Sequence, residues 1–136
     1  MNFHFKRDFG QLRSEMVEKA IFARGVRSEL VLNAMRSVPR EVFLPEQLRE
    51  FAYEDAPLPI EGGQTISQPY IVAFMTEALA LEGGGKVLEI GAGSGYAAAI
   101  LSKIGEGSVQ AGRSRLPQCA RSSRGRNQGM AGACSL

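Results

Sequence analysis

Several residue types that carry catalytic or metal chemistry are scarce in this chain. Among its 136 residues there is no tryptophan, and His4 is the only histidine. Because a serine nucleophile normally relies on a nearby histidine base, acyl-enzyme chemistry is disfavoured. The two cysteines, Cys119 and Cys134, have no histidine beside them, which makes a poor zinc site. We therefore expect no metal, and no disulfide if the compartment is reducing.

Long apolar segments are also lacking. No run approaches the roughly 20 apolar residues that a membrane-spanning helix needs. Residues 1–8 do not contain the apolar block of a secretory signal. These two features predict a cytoplasmic protein without a membrane partner.

Acidic residues are missing from the last part of the chain. Residues 1–106 hold eleven Lys or Arg and all fourteen acids, whereas residues 107–136 hold five arginines and no acid. The second segment is also poor in aliphatic side chains, which predicts disorder. A basic tail can contact nucleic acid, but this one has neither lysine nor an aromatic residue for base stacking. We predict a domain over 1–106, a disordered tail over 107–136, and no nucleic-acid partner.

The apolar spacing within residues 1–106 predicts helices followed by one strand–turn–helix unit. Two prolines and two glycines predict an irregular stretch over 55–63. The predicted elements are a helix around 12–21 that stops at Gly25, a helix from Ser28 to Pro39, a short helix from Pro45 to Phe51, a helix from Ser67–Pro69 with Val72, Met75, Ala78 and Leu79 inward, a buried strand Val87–Ile90, and a helix Tyr96–Ile104.

Three alternating glycines, Gly91, Gly93 and Gly95, follow the predicted strand. A dinucleotide-binding turn has the spacing G-x-G-x-x-G, whereas the spacing here is G-x-G-x-G, which disfavours a nicotinamide-binding fragment. Glu89, two residues before the first glycine, disfavours a phosphate and favours a cationic ligand. S-adenosyl-L-methionine has a sulfonium and an amino group for this acid, and a carboxylate for the helix N-terminus. A tight turn without any ligand is the alternative.

A second candidate is Ser67, at the predicted start of the helix that contains Val72. Its hydroxyl is a natural N-cap, and capping alone explains a serine at this position. A hydroxyl at a helix N-terminus can also hydrogen-bond an anionic substrate group. Both interpretations remain open on the sequence alone.

Three stretches together resemble the bacterial type of protein-L-isoaspartate O-methyltransferase. The most specific is the segment Gly63–Pro69, with the run Tyr53–Ile60 before it. The stretch Val31–Pro45 is also similar to the family, and Val87–Gly95 matches its first cofactor motif. The resemblance covers about residues 10–106.

This resemblance implies an α/β fold, with N-terminal helices and the first strand–turn–helix unit of a doubly wound, Rossmann-like methyltransferase sheet. It implies that Glu89 and the three glycines of the turn hold S-adenosyl-L-methionine. It further implies that Ser67 is the active-site hydroxyl that holds the substrate, and that Thr65 and Ile66 shape the pocket. The family's substrates are isoaspartyl-containing proteins and peptides, and we expect a monomer.

The implied reaction is protein repair. The free α-carboxylate of an isoaspartyl residue attacks the methyl group of the cofactor, and the ester later collapses to a succinimide. A carboxylate with a pKa of about 3.5–4 is already ionised at neutral pH, so no general base is needed. Catalysis then rests on alignment of the reacting atoms, which contributes up to about 7–11 kcal/mol in ideal cases.

The sequence departs from the family after Gly105–Glu106. Members continue with a second strand that ends in an acid for the ribose hydroxyls, whereas Val109–Arg113 offers neither a strand-length apolar run nor a carboxylate. The abrupt change in composition resembles translation in a shifted reading frame with an early stop. We therefore expect an incomplete sheet with β-strand edges unpaired on both sides, a marginally stable or aggregation-prone chain, and little activity. The alternative function is an inactive remnant or a non-enzymatic interaction module with a basic tail.

Overall fold

The computed structural model describes residues 8–105 together with the backbone of 109–112. The predictions for His4, for both cysteines and for most of the tail concern residues outside these ranges. Four helices and four short strands follow one another along the described chain, connected by tight helical turns. They are α1 (Phe9–Met16), α2 (Glu29–Ser37), β1 (Leu58–Pro59), β2 (Thr65–Ile66), α3 (Pro69–Ala78), β3 (Val87–Ile90), α4 (Tyr96–Ile104) and β4 (Val109–Gly112).

The helix boundaries follow the caps that the sequence contains. The carboxylate of Asp8 accepts hydrogen bonds from the first turn of α1, and the chain leaves this helical region at Gly25, whose φ of 106° is left-handed. Ser28 caps α2 through Val31 N–H at 3.5 Å. These observations confirm the predicted ends at Gly25 and Ser28, and α4 coincides with its predicted range.

The core lies between the helices. α2 packs against both α3 and α4, and α3 also contacts the helical turn that extends α1 over Val17–Ile21. The fully buried side chains of this core include Ile21, Leu32, Met35 and Ile100. The helices therefore share one continuous core of apolar side chains.

The inward face of α3 differs from the prediction. Val72 is buried, but Met75 is 63% exposed and Leu79 is 53% exposed, and Ala78 is exposed as well. The buried stripe instead takes the spacing i, i+3, i+4, i+7 from the first residue of the helix. Its members are Pro69, Val72, Ala73 and Thr76.

The strands form two small sheets. β1 and β2 pair antiparallel, with Leu58 opposite Ile66, and β3 pairs parallel with β4, with Val87 opposite Val109. The prediction that no second strand follows α4 is therefore wrong, and so is the prediction that β3 lacks a partner on both sides. A parallel pair of strands is joined by hydrogen bonds between backbone N–H and C=O groups. A segment with few apolar side chains can therefore still pair as a strand. The end of the domain at residue 106 and the disorder of the remaining tail stay predictions.

The exposure of β3 also corrects the sequence analysis. The strand has its predicted bounds, Val87–Ile90, but Leu88 is 65% exposed and Ile90 is 81% exposed. A strand is buried on both faces only where other elements cover both faces. Among the described residues, nothing covers the face that carries Leu88 and Ile90.

Candidate active site

A small cavity brings the two predicted site segments together. Its volume is about 110 Å³, and its walls come from the segment that ends β2 and from the turn between β3 and α4. The lining residues are Thr65, Ile66, Ser67, Val72, Glu89, Gly91, Ala92, Gly93, Ser94, Tyr96 and Ala97. Residues more than twenty positions apart in the sequence therefore face one space.

The glycine turn has the backbone conformation that requires glycine. Gly91, Gly93 and Gly95 have φ values of 81°, 52° and 83°, a region that side chains with a Cβ disfavour. A Cβ placed on Gly91 would have nothing within 4 Å, so the backbone there is open on the cavity side. Gly95 is not a lining residue; it is the N-cap of α4.

The first turn of α4 is partly satisfied from within the glycine turn. Ser94 Oγ accepts a hydrogen bond from Tyr96 N–H at 3.2 Å, and Gly95 N–H donates to Ala92 O at 2.7 Å. The helix N-terminus still carries a partial positive charge and further N–H groups of its first turn. This end of the cavity favours a negatively charged group.

Glu89 provides the opposite polarity. Its Oε2 atom is buried and has no hydrogen-bond partner among the described residues, and burial raises the pKa of its carboxyl group. A buried oxygen without a donor is costly. The site therefore offers an acceptor suited to a cationic or hydrogen-bond-donating ligand, a few residues from a helix N-terminus suited to an anion.

Ser67 does not cap α3, so the capping interpretation is wrong. The N-cap residue is Gln68, which makes no side-chain capping bond. The carboxylate of Asp55 takes this role from a distant loop, since its Oδ1 accepts from Tyr70 N–H at 2.9 Å and its Oδ2 from Gln68 Nε2 at 2.8 Å. Ser67 is exposed, and its hydroxyl makes no hydrogen bond to the described part of the chain. The hydroxyl is thus available to a ligand.

Thr65 and Ile66 lie on opposite sides of β2. Thr65 is exposed, whereas Ile66 is only 2% exposed and belongs to the core. Both residues still line the cavity. The short pairing with β1, supported by the hydrogen bond from Ile60 N–H to Gln64 O at 2.9 Å, fixes the segment that leads to Ser67.

Two contributors were not singled out from the sequence. Asp55 caps α3, and it also pairs with Arg24 Nη1 at 2.8 Å. Arg40 is fully buried, and its Nη1 donates to Ser67 O at 2.8 Å. The signal available for Asp55 was a carboxylate in a proline-rich loop, and that for Arg40 was a charge within an apolar stretch; neither pattern specifies a long-range partner.

Within 8–105, no group of three or more His, Cys, Asp or Glu side chains is arranged to hold a metal ion. None of the described helices has the length and apolar character required to cross a bilayer.

Comparisons with known proteins all point to one family. The family model for protein-L-isoaspartate(D-aspartate) O-methyltransferase matches residues 11–127, so the match extends beyond the predicted end near residue 106. A protein-L-isoaspartate O-methyltransferase of Rhodopseudomonas palustris (strain HaA2) is 68% identical over 96 residues, which are 71% of this chain and 39% of the relative. A relative from Methanoculleus marisnigri is 56% identical over 108 residues, or 79% of this chain and 48% of the relative.

Two solved structures are similar in fold. A protein-L-isoaspartate O-methyltransferase has a TM-score of 0.66 and 36% identity, with 76% of this chain and 34% of the other chain covered. A Plasmodium falciparum protein assigned to the same enzyme class, solved with S-adenosyl-L-homocysteine, has a TM-score of 0.61 and 26% identity, with 76% of this chain and 50% of the other covered. The α/β fold is thereby confirmed, and this chain spans about two-fifths of the length of the first relatives it matches.

Proposed function

Because the chain belongs to the protein-L-isoaspartate O-methyltransferase family, we propose that its site methylates the free α-carboxylate of isoaspartyl residues in damaged proteins. The observation that carries the proposal is the shared cavity, which joins the Ser67 segment to the glycine turn and Glu89. The first segment is the substrate side of the proposed site. The turn is the cofactor side.

The proposed cofactor is S-adenosyl-L-methionine, and the residues present fit it. Glu89 offers a carboxylate oxygen without a partner among the described residues, the open backbone at Gly91 allows close approach, and the N-terminus of α4 suits a carboxylate. Gly93 and Gly95 complete the turn by their left-handed conformation. When bound, the cofactor supplies a methyl group on a positively charged sulfur.

The residues of this chain bind and orient the substrate. The exposed Ser67 hydroxyl donates a hydrogen bond to the isoaspartyl α-carboxylate, which is already ionised at neutral pH. Thr65 and Ile66 limit the space beside it. No residue has to remove a proton before the carboxylate reacts, so alignment of the two reactants is the main contribution of the site.

The test is transfer of a labelled methyl group from S-adenosyl-L-methionine to a peptide that contains one isoaspartyl residue. The matched control is the same peptide with an ordinary aspartyl residue, whose carboxylate sits one carbon further along the side chain. We expect slow, base-labile labelling of the isoaspartyl peptide alone, and loss of that labelling with Ser67→Ala. Equal labelling of both peptides would contradict the proposed substrate.

A second candidate, a non-enzymatic member of the family, is favoured by one feature of the site. A cavity of about 110 Å³ is small beside ligand pockets of about 300–1,000 Å³, so the described residues enclose only part of a cofactor. If isothermal calorimetry detects binding of neither cofactor nor isoaspartyl peptide, this second candidate replaces the first. Salt-sensitive nucleic-acid binding that is lost on deletion of residues 107–136 would indicate an interaction module.

We also propose that the folded chain is a monomer in the cytoplasm, without nucleic acid as a partner. The proposal is supported by the composition of the chain, which combines an acidic excess over residues 1–106 with a tail free of lysine and aromatic residues. Sedimentation velocity and cell fractionation test the two statements.

A further inference from the structure

Arg40 is a buried charge whose guanidinium donates to backbone carbonyl groups. Its side chain is 0% exposed, and its contacts to the described residues include no ion pair. Burial lowers the pKa of its guanidinium group, and its Nε atom lacks a hydrogen-bond partner among the described residues. Because a charge that is removed from water is costly unless its donors are satisfied, its contacts need a physical explanation.

One side of the guanidinium connects the two ends of the β1–β2 hairpin. Nη1 donates to Ser67 O at 2.8 Å, directly after β2. Nη2 donates to Ala56 O at 3.2 Å, two residues before β1. The backbone of Ser67 is thus held by a buried donor, while its hydroxyl is left exposed toward solvent and the cavity.

The same guanidinium also contacts the element that follows the glycine turn. Its Cζ atom is 5.0 Å from the centroid of the Tyr96 ring, and Tyr96, 1% exposed, is the first residue of α4. Phe43, from the same helical turn as Arg40, packs edge-on against Tyr96 at a centroid distance of 5.5 Å. One short turn of chain therefore contacts both walls of the cavity.

We propose that Arg40 is a positioning residue that fixes the Ser67 segment relative to the glycine turn. This inference rests on the proposed function, because that function makes the Ser67 segment the substrate side and the glycine turn the cofactor side. Arg40 does not line the cavity, so it acts through Ser67 and Tyr96. A displacement of about 1 Å between reacting groups can lower a rate about a hundredfold, which is why a rigid connection between the walls matters.

Lysine cannot replace arginine in this role. The planar guanidinium donates to two carbonyl oxygens through two nitrogen atoms while its Cζ lies over an aromatic ring, whereas an ammonium is a single point of donation. In Arg40→Lys the charge is retained, but at least one of the contacts to Ser67, Ala56 or Tyr96 is lost. The variant therefore tests the geometry of these contacts while the positive charge is kept.

The experiment measures backbone order and peptide binding in the full chain. Nitrogen-15 relaxation reports the order parameters of residues 65–67, and calorimetry reports the affinity for an isoaspartyl peptide. In the wild type we expect order parameters near the rigid value of about 0.85 despite the exposure of Ser67, and in Arg40→Lys values toward about 0.6. Peptide affinity should fall about tenfold in Arg40→Lys, with little further loss in the Arg40→Lys/Ser67→Ala double variant relative to Ser67→Ala.

Arg36→Lys is the matched control, because Arg36 pairs with Glu18 on the outer side of the helices at 2.6 Å and contacts neither wall. It should leave order parameters and affinity unchanged. The proposal is overturned if Arg40→Lys folds with both quantities at wild-type values, or if residues 65–67 are already mobile in the wild type. Low order parameters for residues 65–67 in the wild type would overturn the proposal even where Arg40→Lys fails to fold.

Failure of the proposed function gives a different pattern. In that case the wild type does not bind the isoaspartyl peptide at all, while the relaxation data still establish whether Arg40 holds the Ser67 backbone. Retained peptide binding with a mobile segment would instead reject the role of Arg40 alone.

Discussion

At the scale of single residues, two serines in similar sequence settings have different roles. Ser28 precedes α2 and its hydroxyl accepts from Val31 N–H, whereas Ser67 precedes α3 and its hydroxyl has no partner among the described residues. A hydroxyl that a helix does not use is free to bind a ligand. This difference is the basis for the role proposed for Ser67.

Ser28→Ala and Ser67→Ala should therefore separate stability from binding. Ser28→Ala removes a cap and should lower the free energy of unfolding by about 1 kcal/mol. Ser67→Ala should change it by less than about 0.5 kcal/mol, yet lower the affinity for an isoaspartyl peptide about tenfold or more, because a hydrogen bond to a charged group is lost. Urea unfolding and calorimetry on both variants provide the measurements, and equal destabilisation by the two changes would contradict the assignment.

Glu89 is expected to link the pH dependence of stability to the cofactor site. Burial raises the pKa of its carboxyl group above the unfolded value, so its stabilising contribution is complete below the unfolded pKa and is lost as the pH rises through the folded pKa. Glu89→Gln stays neutral and should remove this loss. The variant should match the wild type near about pH 4 and be more stable near about pH 7, as measured by urea unfolding at both values.

The same change should weaken cofactor binding. Glu89 supplies the unpartnered carboxylate oxygen of the cavity, and a hydrogen bond to a charged group contributes about 1.5–3 kcal/mol. Glu89→Gln should thus lower the affinity for S-adenosyl-L-methionine by tenfold or more, to order of magnitude, as calorimetry would record. An unchanged affinity together with increased stability would mean that the carboxylate lies outside the cofactor site.

At the scale of elements, the start of α3 depends on a side chain from another part of the chain. Asp55 accepts from Tyr70 N–H, from Gln68 Nε2 and from Arg24. The proline at the first position of α3 has no N–H group and therefore needs no acceptor there. The helix that carries Val72 toward the cavity is therefore anchored by a loop that precedes β1.

Asp55→Ala should destabilise the chain more than loss of an ordinary local cap. Asp8, whose Oδ1 accepts from Gly10 N–H at 2.9 Å at the exposed start of α1, is the matched control. We expect about 1 kcal/mol for Asp8→Ala and about 2–3 kcal/mol for Asp55→Ala, because the latter leaves partly buried donors without a partner. Equal losses in urea unfolding would indicate that Asp55 acts only as a local cap.

At the scale of the whole molecule, the described core is helical and the β3–β4 pair is only partly covered. Leu88 and Ile90 project from β3 with most of their surface exposed. Exposed apolar strands are sites of association between chains. The expected tendency to aggregate has a specific location in the structure.

Leu88→Thr/Ile90→Thr should reduce concentration-dependent association without disturbing the helical core. Threonine is β-branched, which suits a strand, and it removes apolar surface. Val42→Thr is the control, because Val42 is 60% exposed but lies in a helical turn away from β3. Sedimentation velocity should show a monomer for all variants at the lowest concentration, and at the highest concentration less association for the double variant alone. No difference between the variants at high concentration would exclude β3 as the contact.

Marginal stability and little activity remain predictions for this polypeptide. Cooperative thermal unfolding in circular dichroism, together with tight binding of the cofactor, would contradict both. The shifted reading frame also remains a hypothesis, which the coding DNA would test. It fails if no alternative frame encodes a strand that ends in an acid near residue 110.

The sequence by itself determined the helices around the core, the strand β3 and the two candidate segments of the site, but not the strands β1, β2 and β4. Caps at Ser28 and Gly25, the bounds of β3 and α4, and the glycine turn all follow from short-range preferences, which act within a few residues. The residues proposed for the site, from Thr65 to Ser67 and from Glu89 to Gly95, were found because their chemistry is visible in short motifs.

Only the tertiary structure decided how these segments meet. It decided which face of α3 is buried, which strand pairs with β3, and which groups Asp55 and Arg40 bind. All of these contacts join residues more than ten positions apart. Such contacts depend on the packing of whole elements, and a backbone hydrogen bond between strands carries little sequence signal. For that reason the sequence identified the two walls of the cavity, and the fold alone placed them against each other.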